Sequence, residues 1–499
     1  MTSAHDFSTP EASTAAVSPI RRDWALLGGL ILAYAAVFVA FAPPTVGIED
    51  EVGYLNQAIV WTKGAFTADA AGYHDLFGFV RVGAHDVPAR QPGRSLWMFP
   101  FLLVGGIRAA MYSGLFLHAA TVLVGALVLV RLGKSPLWSA LLLFHPTLAI
   151  YSRTLMADEG AGLGPLIGAL AVVSLEAPWA GVVAGLGVAA GAVFRYHAGL
   201  ALPVVAAAFL FPPVRKQPFK QAILCLVAGG LGGFLLMSYN LWLFQHPTDP
   251  QVTTRGSWSF AFIGEQARFF GGALMTVWPG MLLAPLLDRS ALRWVARGVC
   301  GLFLAMFLIY YWHDTGSSWI ETAVLGLRLI QVALPVWITC YAVVVADYVG
   351  APLTRAIGVS RARGLAALAC LGLLLATTVM FTRHQKHLQN LIAAHDAVAA
   401  VVPDGARLAA NGTVEKLFAT ADHHPAYERI YLPDVPHKRH LPEDFEERPF
   451  YVAVLLKSAD PSNLEDARAA AARYHMTPIE TGFPGLTVYA YRPPARSKP

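Results

Sequence analysis

The sequence predicts a polytopic α-helical membrane protein that carries a small water-soluble α/β domain at its C-terminal end. Three observations lead there. Of 499 residues, 56% are apolar and only 14% charged, whereas soluble proteins average about 45–50% and about 25%. The charges are unevenly spread. Residues 384–499 hold 27 Asp, Glu, Lys and Arg, close to the soluble average, while the 383 residues before them hold 42, roughly 11% and a membrane-domain value. The apolar residues, finally, come in runs that approach the roughly 20 residues needed to cross a hydrocarbon core. Disordered, collagenous and disulfide-stapled classes are excluded. The net charge of +5 is scattered over short loops, which argues against nucleic acid as a partner.

Taken in order, residues 1–23 form a polar tail ending at Arg21–Arg22. The run Trp24–Ala42 exceeds the usual signal-peptide core of about 7–15 residues and reads as a retained first span. Further runs at roughly 111–130, 136–151, 160–175, 178–194, 198–212, 221–243, 270–287, 294–311, 329–347 and 364–382 bring the membrane domain, 24–383, to about eleven spans. With Arg21–Arg22 inside, the inner loops carry Arg131 and Lys134; Arg215, Lys216 and Lys220; Arg289, Arg293 and Arg297; and Arg355, Arg361 and Arg363, as the positive-inside rule requires. An inner-membrane protein with a cytoplasmic N-terminus follows. The loop 43–95, the junction Arg153–Glu159 and the C-terminal domain are then external. Glycine spacings at Gly160/Gly164/Gly168 and at Gly181/Gly185 with Gly187/Gly191 predict close helix pairs. The run Gly229–Gly233 lies mid-span with no strand before it, which fits helix packing and not a nucleotide loop. Cys225, Cys300, Cys340 and Cys370 sit in apolar runs without ligand spacing.

The external domain, 384–499, opens with an amphipathic stretch at 384–402 and a turn at Pro403-Asp404-Gly405. A strand at 451–456, a helix at 463–474 and a last strand at 486–491 follow, the order of a small α/β fold. It holds eight of the 16 histidines, including His423–His424 and His437/His440; solvated surface histidines fit these better than a metal site. Asn411-Gly412-Thr413 has the form of a glycosylation sequon.

Chemistry concentrates on one membrane face. Glu49-Asp50-Glu51 follows the first span, and Tyr54 shares a helix face with Asp50 at i,i+4 spacing; the stretch reads as a helix along the membrane surface. Three adjacent carboxylates raise one another's pKa, which marks a functional candidate. Ser152–Glu159 brings Arg153, Asp158 and Glu159 to the next external junction. Arg90, Arg94, Arg153, Arg195, Arg268 and Arg328 break the inside bias, and a guanidinium near hydrocarbon is usually paired or functional. Arg195, with Tyr196 and His197, and Arg328 lie at span ends, where a lipid phosphate would meet a rigid two-pronged donor.

These motifs resemble the GT-C superfamily of integral membrane glycosyltransferases, in the branch of protein O-mannosyltransferases and lipid A aminoarabinose transferases. Asp50-Glu51-x-x-Tyr54 is similar to that branch's D-E-x-x-Y after the first span. Arg90-Gln91-Pro92-Gly93-Arg94-Ser95-Leu96-Trp97 resembles its K-P-P-x-x-x-W-like stretch, with Gln91 in place of the usual Lys and Gly93 in place of the second Pro, so that Arg90 or Arg94 would take over the phosphate role. Ser152–Glu159 is similar to its second acidic motif. Arg328 to Pro335 is similar to its late R-Y-x-x-x-x-x-P-like segment, without the Tyr.

The resemblance implies inverting transfer of a sugar from a polyprenyl-phosphate carrier to an acceptor hydroxyl on a glycolipid, an envelope glycan or a protein. Asp50 would be the general base; Glu51, Asp158 and Glu159 would complete the catalytic set. Tyr54, Arg90, Arg94, Arg153, Arg195, His197 and Arg328 would bind substrate. A divalent cation, Mg or Mn, is an open expectation, with Asp50, Asp158 and Glu159 as its ligands. The competing class is a transporter or flippase of a lipid-linked sugar. That class predicts ionisable residues near the bilayer midplane and two repeat-related halves, whereas here the acids gather at one face and no repeat is visible. A non-catalytic receptor would leave both acidic motifs unexplained.

Overall fold

The computed structural model describes residues 17–73, 76–174, 176–211, 217–246, 258–310, 316–410, 418, 420–421, 427–429, 448–455, 469 and 471–493. Helix α1 spans Val17–Ala40 and α2 Glu49–Thr62, followed by the hairpin β1 (Phe79–Val82) and β2 (His85–Pro88). Then come α3 (Gly93–Arg131), α4 (Ala140–Leu143), α5 (Pro146–Tyr151), α6 (Asp158–Ser174), α7 (Trp179–Phe194), α8 (Ala201–Ala208) and α9 (Pro218–Phe244). The bundle continues with α10 (Ile263–Val277), α11 (Ala284–Leu287), α12 (Arg293–Leu308), α13 (Trp319–Gly326), α14 (Leu334–Val345), α15 (Ala351–Ile357) and α16 (Val359–Ala399).

Five stretches among the described residues are long and apolar enough to cross a membrane on their own: Ile20–Ala40, Gly93–Arg131, Pro218–Phe244, Leu334–Ile357 and Val359–Ala399. A sixth forms if Phe260–Val277 and Met281–Leu287, bent by 109°, count as one. Of the other runs expected as spans, 160–175, 178–194 and 294–311 are the single helices α6, α7 and α12, of 17, 16 and 16 residues, whereas two break at proline. Residues 136–151 break at His145-Pro146, where His145 is extended (φ −63°, ψ 120°) and α5 restarts at the proline, as a residue preceding proline prefers. Residues 270–287 break at Trp278-Pro279-Gly280, with Gly280 at φ 85°. Helix α3 starts far earlier than the span expected at 111–130, inside the loop expected to run to residue 95. It turns at Gly105-Gly106, where Gly106 has φ 64° and ψ −157°, a conformation open to glycine alone.

The predicted glycine seams bring helices together. A Cβ added at Gly164 would meet the Gly187 carbonyl oxygen at 2.6 Å, and one at Gly181 or Gly185 would meet the carbonyl oxygen of Gln221 or Cys225. Helix α7 therefore packs backbone to backbone on both α6 and α9, and Gly229 lies against Leu202 inside α9 as packing, not as a loop. All four cysteines are free thiols.

Helix α16 is one element from Val359 to Ala399, so the expected boundary between residues 383 and 384 falls inside a helix. Beyond it Leu388, Leu391, Ala394 and Val398 are buried at helical spacing, the amphipathic face seen in the sequence. A five-stranded sheet follows in the order β4-β3-β5-β7-β6, with β3 (Arg407–Ala410), β4 (Glu428–Arg429), β5 (Phe450–Leu455), β6 (Thr477–Glu480) and β7 (Leu486–Tyr491). Strand β3 pairs in parallel with β4 and β5, and β7 pairs antiparallel with β5 and β6. Ala394, Val398 and Val402 cover one sheet face with Leu408, Ala453, Leu455 and Val488. The sequon, both histidine pairs and most of the helix expected at 463–474 lie outside the described residues.

Candidate active site

The site starts at the N-terminus of α2. Glu51, 2% exposed, turns back on its own helix start: its Oε2 accepts the N–H groups of Gly47 and Ile48, both at 2.7 Å, and its Oε1 accepts Leu155 N–H at 2.6 Å. Both oxygens are thereby committed to backbone, and Glu51 ties α2 to the Ser152–Glu159 junction. Burial pushes its carboxyl up against the pull of those three donors. Asp50, one residue earlier, points elsewhere. It pairs with Arg90 at 2.6 Å and lies 3.6 Å from Arg195, its side chain 21% exposed.

The reach of Arg90 depends on glycine. Gly78, at φ 82°, sits so close to Gly53 of α2 that a Cβ on Gly78 would lie 2.4 Å from the Gly53 Cα. A Cβ on Gly53 would touch the Arg90 stem at 3.2 Å. Asn56 holds the same layer, donating to the Phe77 carbonyl at 3.0 Å and accepting Ala421 N–H at 2.7 Å. Thus α2 is covered by the loop before β1 and by a residue of the C-terminal part. Its residues 51–60 are buried, and the expected helix along the membrane surface is corrected to a buried one.

Asp158 begins α6, where the helix dipole favours a carboxylate. It accepts Arg195 Nη2 at 3.1 Å, so one guanidinium bridges Asp158 and Asp50. The corner that presents Arg195 is again held by glycines: Cβ atoms on Gly93 or Gly160 would collide with Phe194 at 2.7 and 2.3 Å. Tyr54 is fully buried, its ring centroid 6.0 Å from the Arg195 guanidinium. Burial drives its hydroxyl up to about 12. Arg328 lies against Tyr151, 6.0 Å from the ring centroid. Burial pushes the Asp50 carboxyl up, but Arg90, Arg195 and Arg328 outweigh it and hold Asp50 below the ordinary carboxylate value. The carboxylates of Asp50 and Asp158 therefore share one cluster with Arg90 and Arg195, and Arg328 adds to its positive field at Asp50.

The remaining predicted residues are not in this cluster. Arg94 is fully buried behind it, donating to Ser113 Oγ and the Thr154 carbonyl. Glu159 faces away from Asp158 by the 100° step of a helix and meets His118 Nδ1 at 2.6 Å, while His118 Nε2 meets the Leu143 carbonyl at 3.0 Å. Both ring nitrogens thus face acceptors. Sequence reading missed His118; its signal was a lone ionisable side chain inside an apolar run. His197 packs between Phe303 and Phe307, 6.0 Å from each ring, and Arg153 sits between Phe38 and Phe381.

The three expected metal ligands are engaged by other side chains in this structure. The position between Asp50 and Asp158 is taken by the Arg195 guanidinium, and Glu159 is engaged by His118. Among the described residues, no three His, Cys, Asp or Glu gather in one place; a cation shared with a substrate phosphate needs only one or two carboxylates.

No protein-family model matches this sequence, and no curated protein matches it. Solved structures do. ArnT from Cupriavidus metallidurans, the lipid A aminoarabinose transferase, matches in its form bound to undecaprenyl phosphate with a TM-score of 0.55 at 13% identity, over 95% of this chain and 99% of that one. Its apo form matches with the same score and identity over 96% and 98%. This chain shares the overall fold of that structure. At that identity the likeness is one of architecture.

Proposed function

We propose that this GT-C-like chain is a glycosyltransferase that moves a sugar from a polyprenyl-phosphate carrier to an acceptor hydroxyl on a glycolipid, an envelope glycan or a protein. The reaction would take place on the external face of the cytoplasmic membrane, with the N-terminus inside. The observation that carries this reading is the Asp50–Arg195–Asp158 bridge flanked by Arg90 and Arg328. It offers a carboxylate partly open to the surface next to several guanidiniums, the pair of functions that displacement of a phosphate at an anomeric carbon demands. The solved likeness bound to undecaprenyl phosphate supports the carrier class.

In the proposed step the acceptor oxygen attacks the anomeric carbon on the face opposite the phosphate. The new C–O bond forms as the bond to the phosphate oxygen breaks, which inverts the centre. Asp50 takes the hydroxyl proton, and Arg90, Arg195 and Arg328 take up the charge that develops on the leaving phosphate. The same arginines hold Asp50 low in basicity before substrate arrives. A phosphate competing for Arg90 and Arg195 weakens that hold and makes Asp50 a better base once the donor is in place. Tyr54 walls the site beside Arg195, and Glu51 and Arg94 position α2 without touching substrate.

The test is mass spectrometry of carrier lipids and envelope glycans from a deletion strain. The expected result is one missing sugar and accumulation of its polyprenyl-phosphate form, both restored by the wild-type gene and not by Asp50→Asn. Accumulation on the cytoplasmic leaflet alone, with the Asp50→Asn variant fully restoring, would replace the enzyme reading with the flippase.

A further inference from the structure

One buried cation is left over by this mechanism. Arg153 is 1% exposed. Its Nε donates to His384 Nδ1 at 3.2 Å, and its guanidinium carbon lies 4.3 Å from the Phe381 ring centroid and 6.0 Å from that of Phe38. Neither terminal nitrogen has a hydrogen-bond partner, and no carboxylate pairs with it among the described residues. Removing a guanidinium from water without a counter-charge is costly, and two free NH₂ groups in one plane match the oxygens of a phosphate.

Its surroundings say where such a phosphate would come from. Phe38 belongs to α1 and Phe381 to α16, the two long apolar helices least covered by protein. Leu32 and Val39 on α1, and Leu375 and Val379 on α16, are exposed, so a hydrocarbon chain can lie against either helix. Partly exposed His384 leads from Arg153 to the edge of the apolar run, where Arg383 and Lys386 of the same turn are exposed on the outer face of α16. In the orientation proposed above these cations are external, where the positive-inside rule disfavours them.

We propose that Arg153 and His384 form a second anionic site, which holds the phosphate of a phospholipid headgroup in the seam between α1 and α16. Arg153 supplies the bidentate contact at the bottom, and Arg383 and Lys386 on the outer face of α16 add only a longer-range attraction for the headgroup. The site does not depend on the transferase reading, because its ligand is a membrane phospholipid and not the sugar donor.

The experiment uses the full-length chain in detergent stripped of lipid, with the thermal unfolding midpoint read against short-chain phosphatidylglycerol, short-chain phosphatidylcholine or inorganic phosphate. Phosphatidylglycerol should raise the wild-type midpoint. In Arg153→Met its apparent affinity should fall roughly tenfold or more, the loss expected of a charge-assisted contact, and Arg153→Lys should keep part of it. Without lipid, Arg153→Met should be at least as stable as wild type, since it no longer buries an unpaired charge; a merely structural arginine would not give this result. The surface pair Arg383→Gln with Lys386→Gln, which leaves packing alone, should weaken the shift, and Arg328→Gln should leave it intact. The proposal is overturned by an equal shift in Arg153→Met, by no shift in wild type, by loss of the shift in Arg328→Gln, or by inorganic phosphate alone reproducing it.

Discussion

Glu51→Gln and Asp50→Asn, one residue apart, should fail in opposite ways. At Glu51 the carboxylate accepts three backbone N–H groups at 2.6–2.7 Å, and an amide has only one acceptor oxygen. Its best placement keeps Gly47 and Ile48 satisfied and turns the NH₂ group toward Leu155 N–H, so that donor faces donor. One charge-assisted bond of about 1.5–3 kcal/mol is lost and a buried N–H is stranded at about 1–3 kcal/mol. The two surviving bonds fall to roughly half strength. Relief of burying the charge offsets part, which leaves about 2–4 kcal/mol of destabilisation centred on α2. Asp50 is partly exposed and its neutral isostere keeps the same shape. Asp50→Asn should therefore stay folded, with a lower melting point from the lost Arg90 and Arg195 pairs but no stranded backbone donor, while turnover falls about 10²–10⁴-fold, the usual worth of a general base. The assay is thermal melting of each purified variant together with turnover per folded molecule. A Glu51→Gln protein as stable as wild type but inactive would refute the assignment and move the base to Glu51.

The arginines should separate by position. Arg195→Ala and Arg328→Ala should each weaken carrier-phosphate affinity roughly 10- to 150-fold, the range of one charged hydrogen bond, and Arg328→Lys should recover only part because an ammonium lacks the planar fork. Arg268→Ala should be mild, because Arg268 is exposed and donates to the Gly264 carbonyl of its own helix at 3.0 Å; equal small losses at all three positions in a binding assay would dissolve the phosphate clamp. For pH, a carboxyl held low in the folded state stabilises the fold above its unfolded pKa, and that contribution is lost only as pH falls through the folded value. The acid limb of kcat/KM should accordingly lie below the ordinary carboxylate value near 3.8 and move to higher pH in Arg90→Gln. A pH–rate profile unchanged by that substitution would remove Asp50 as the titrating group. A protease-cleavable tag after Pro499 should be cut in intact spheroplasts; protection until the membrane is breached would reverse the proposed orientation.

What the sequence could disclose follows from which signals are local. Strand alternation is local, so 486–491 matches β7 and 451–456 misses β5 by one residue. Apolar runs are local too, yet they hide backbone breaks unless proline is weighed inside them, as at Pro146 and Pro279. Side-chain partners are not local. Asp50 and Glu51, like Asp158 and Glu159, are adjacent in sequence and differ by 100° around a helix. Nothing in the spacing says which of each pair meets Arg195 and which meets backbone or His118. Arg90 and Arg94 look equivalent in the motif, but Arg90 precedes α3 and reaches Asp50, while Arg94 lies inside the helix and is buried against Ser113.

The assembly of the charged cluster rests on close backbone approaches more than on the charged residues themselves. Arg90 reaches Asp50 because Gly78 can lie on Gly53, and Arg195 reaches Asp158 because Gly93 and Gly160 leave room for the Phe194 corner. Gly114 does the same for the junction that supplies Asp158, since a Cβ there would stand 2.1 Å from the Ser152 carbonyl oxygen. In the sequence these glycines read only as small residues in or beside helices, a pattern that membrane proteins use for packing everywhere. Here the packing fixes the distance between opposite charges. At these separations a shift of an ångström turns a bonded pair into a merely nearby one, so an alanine at Gly53 or Gly160 should perturb the site without altering a single charge.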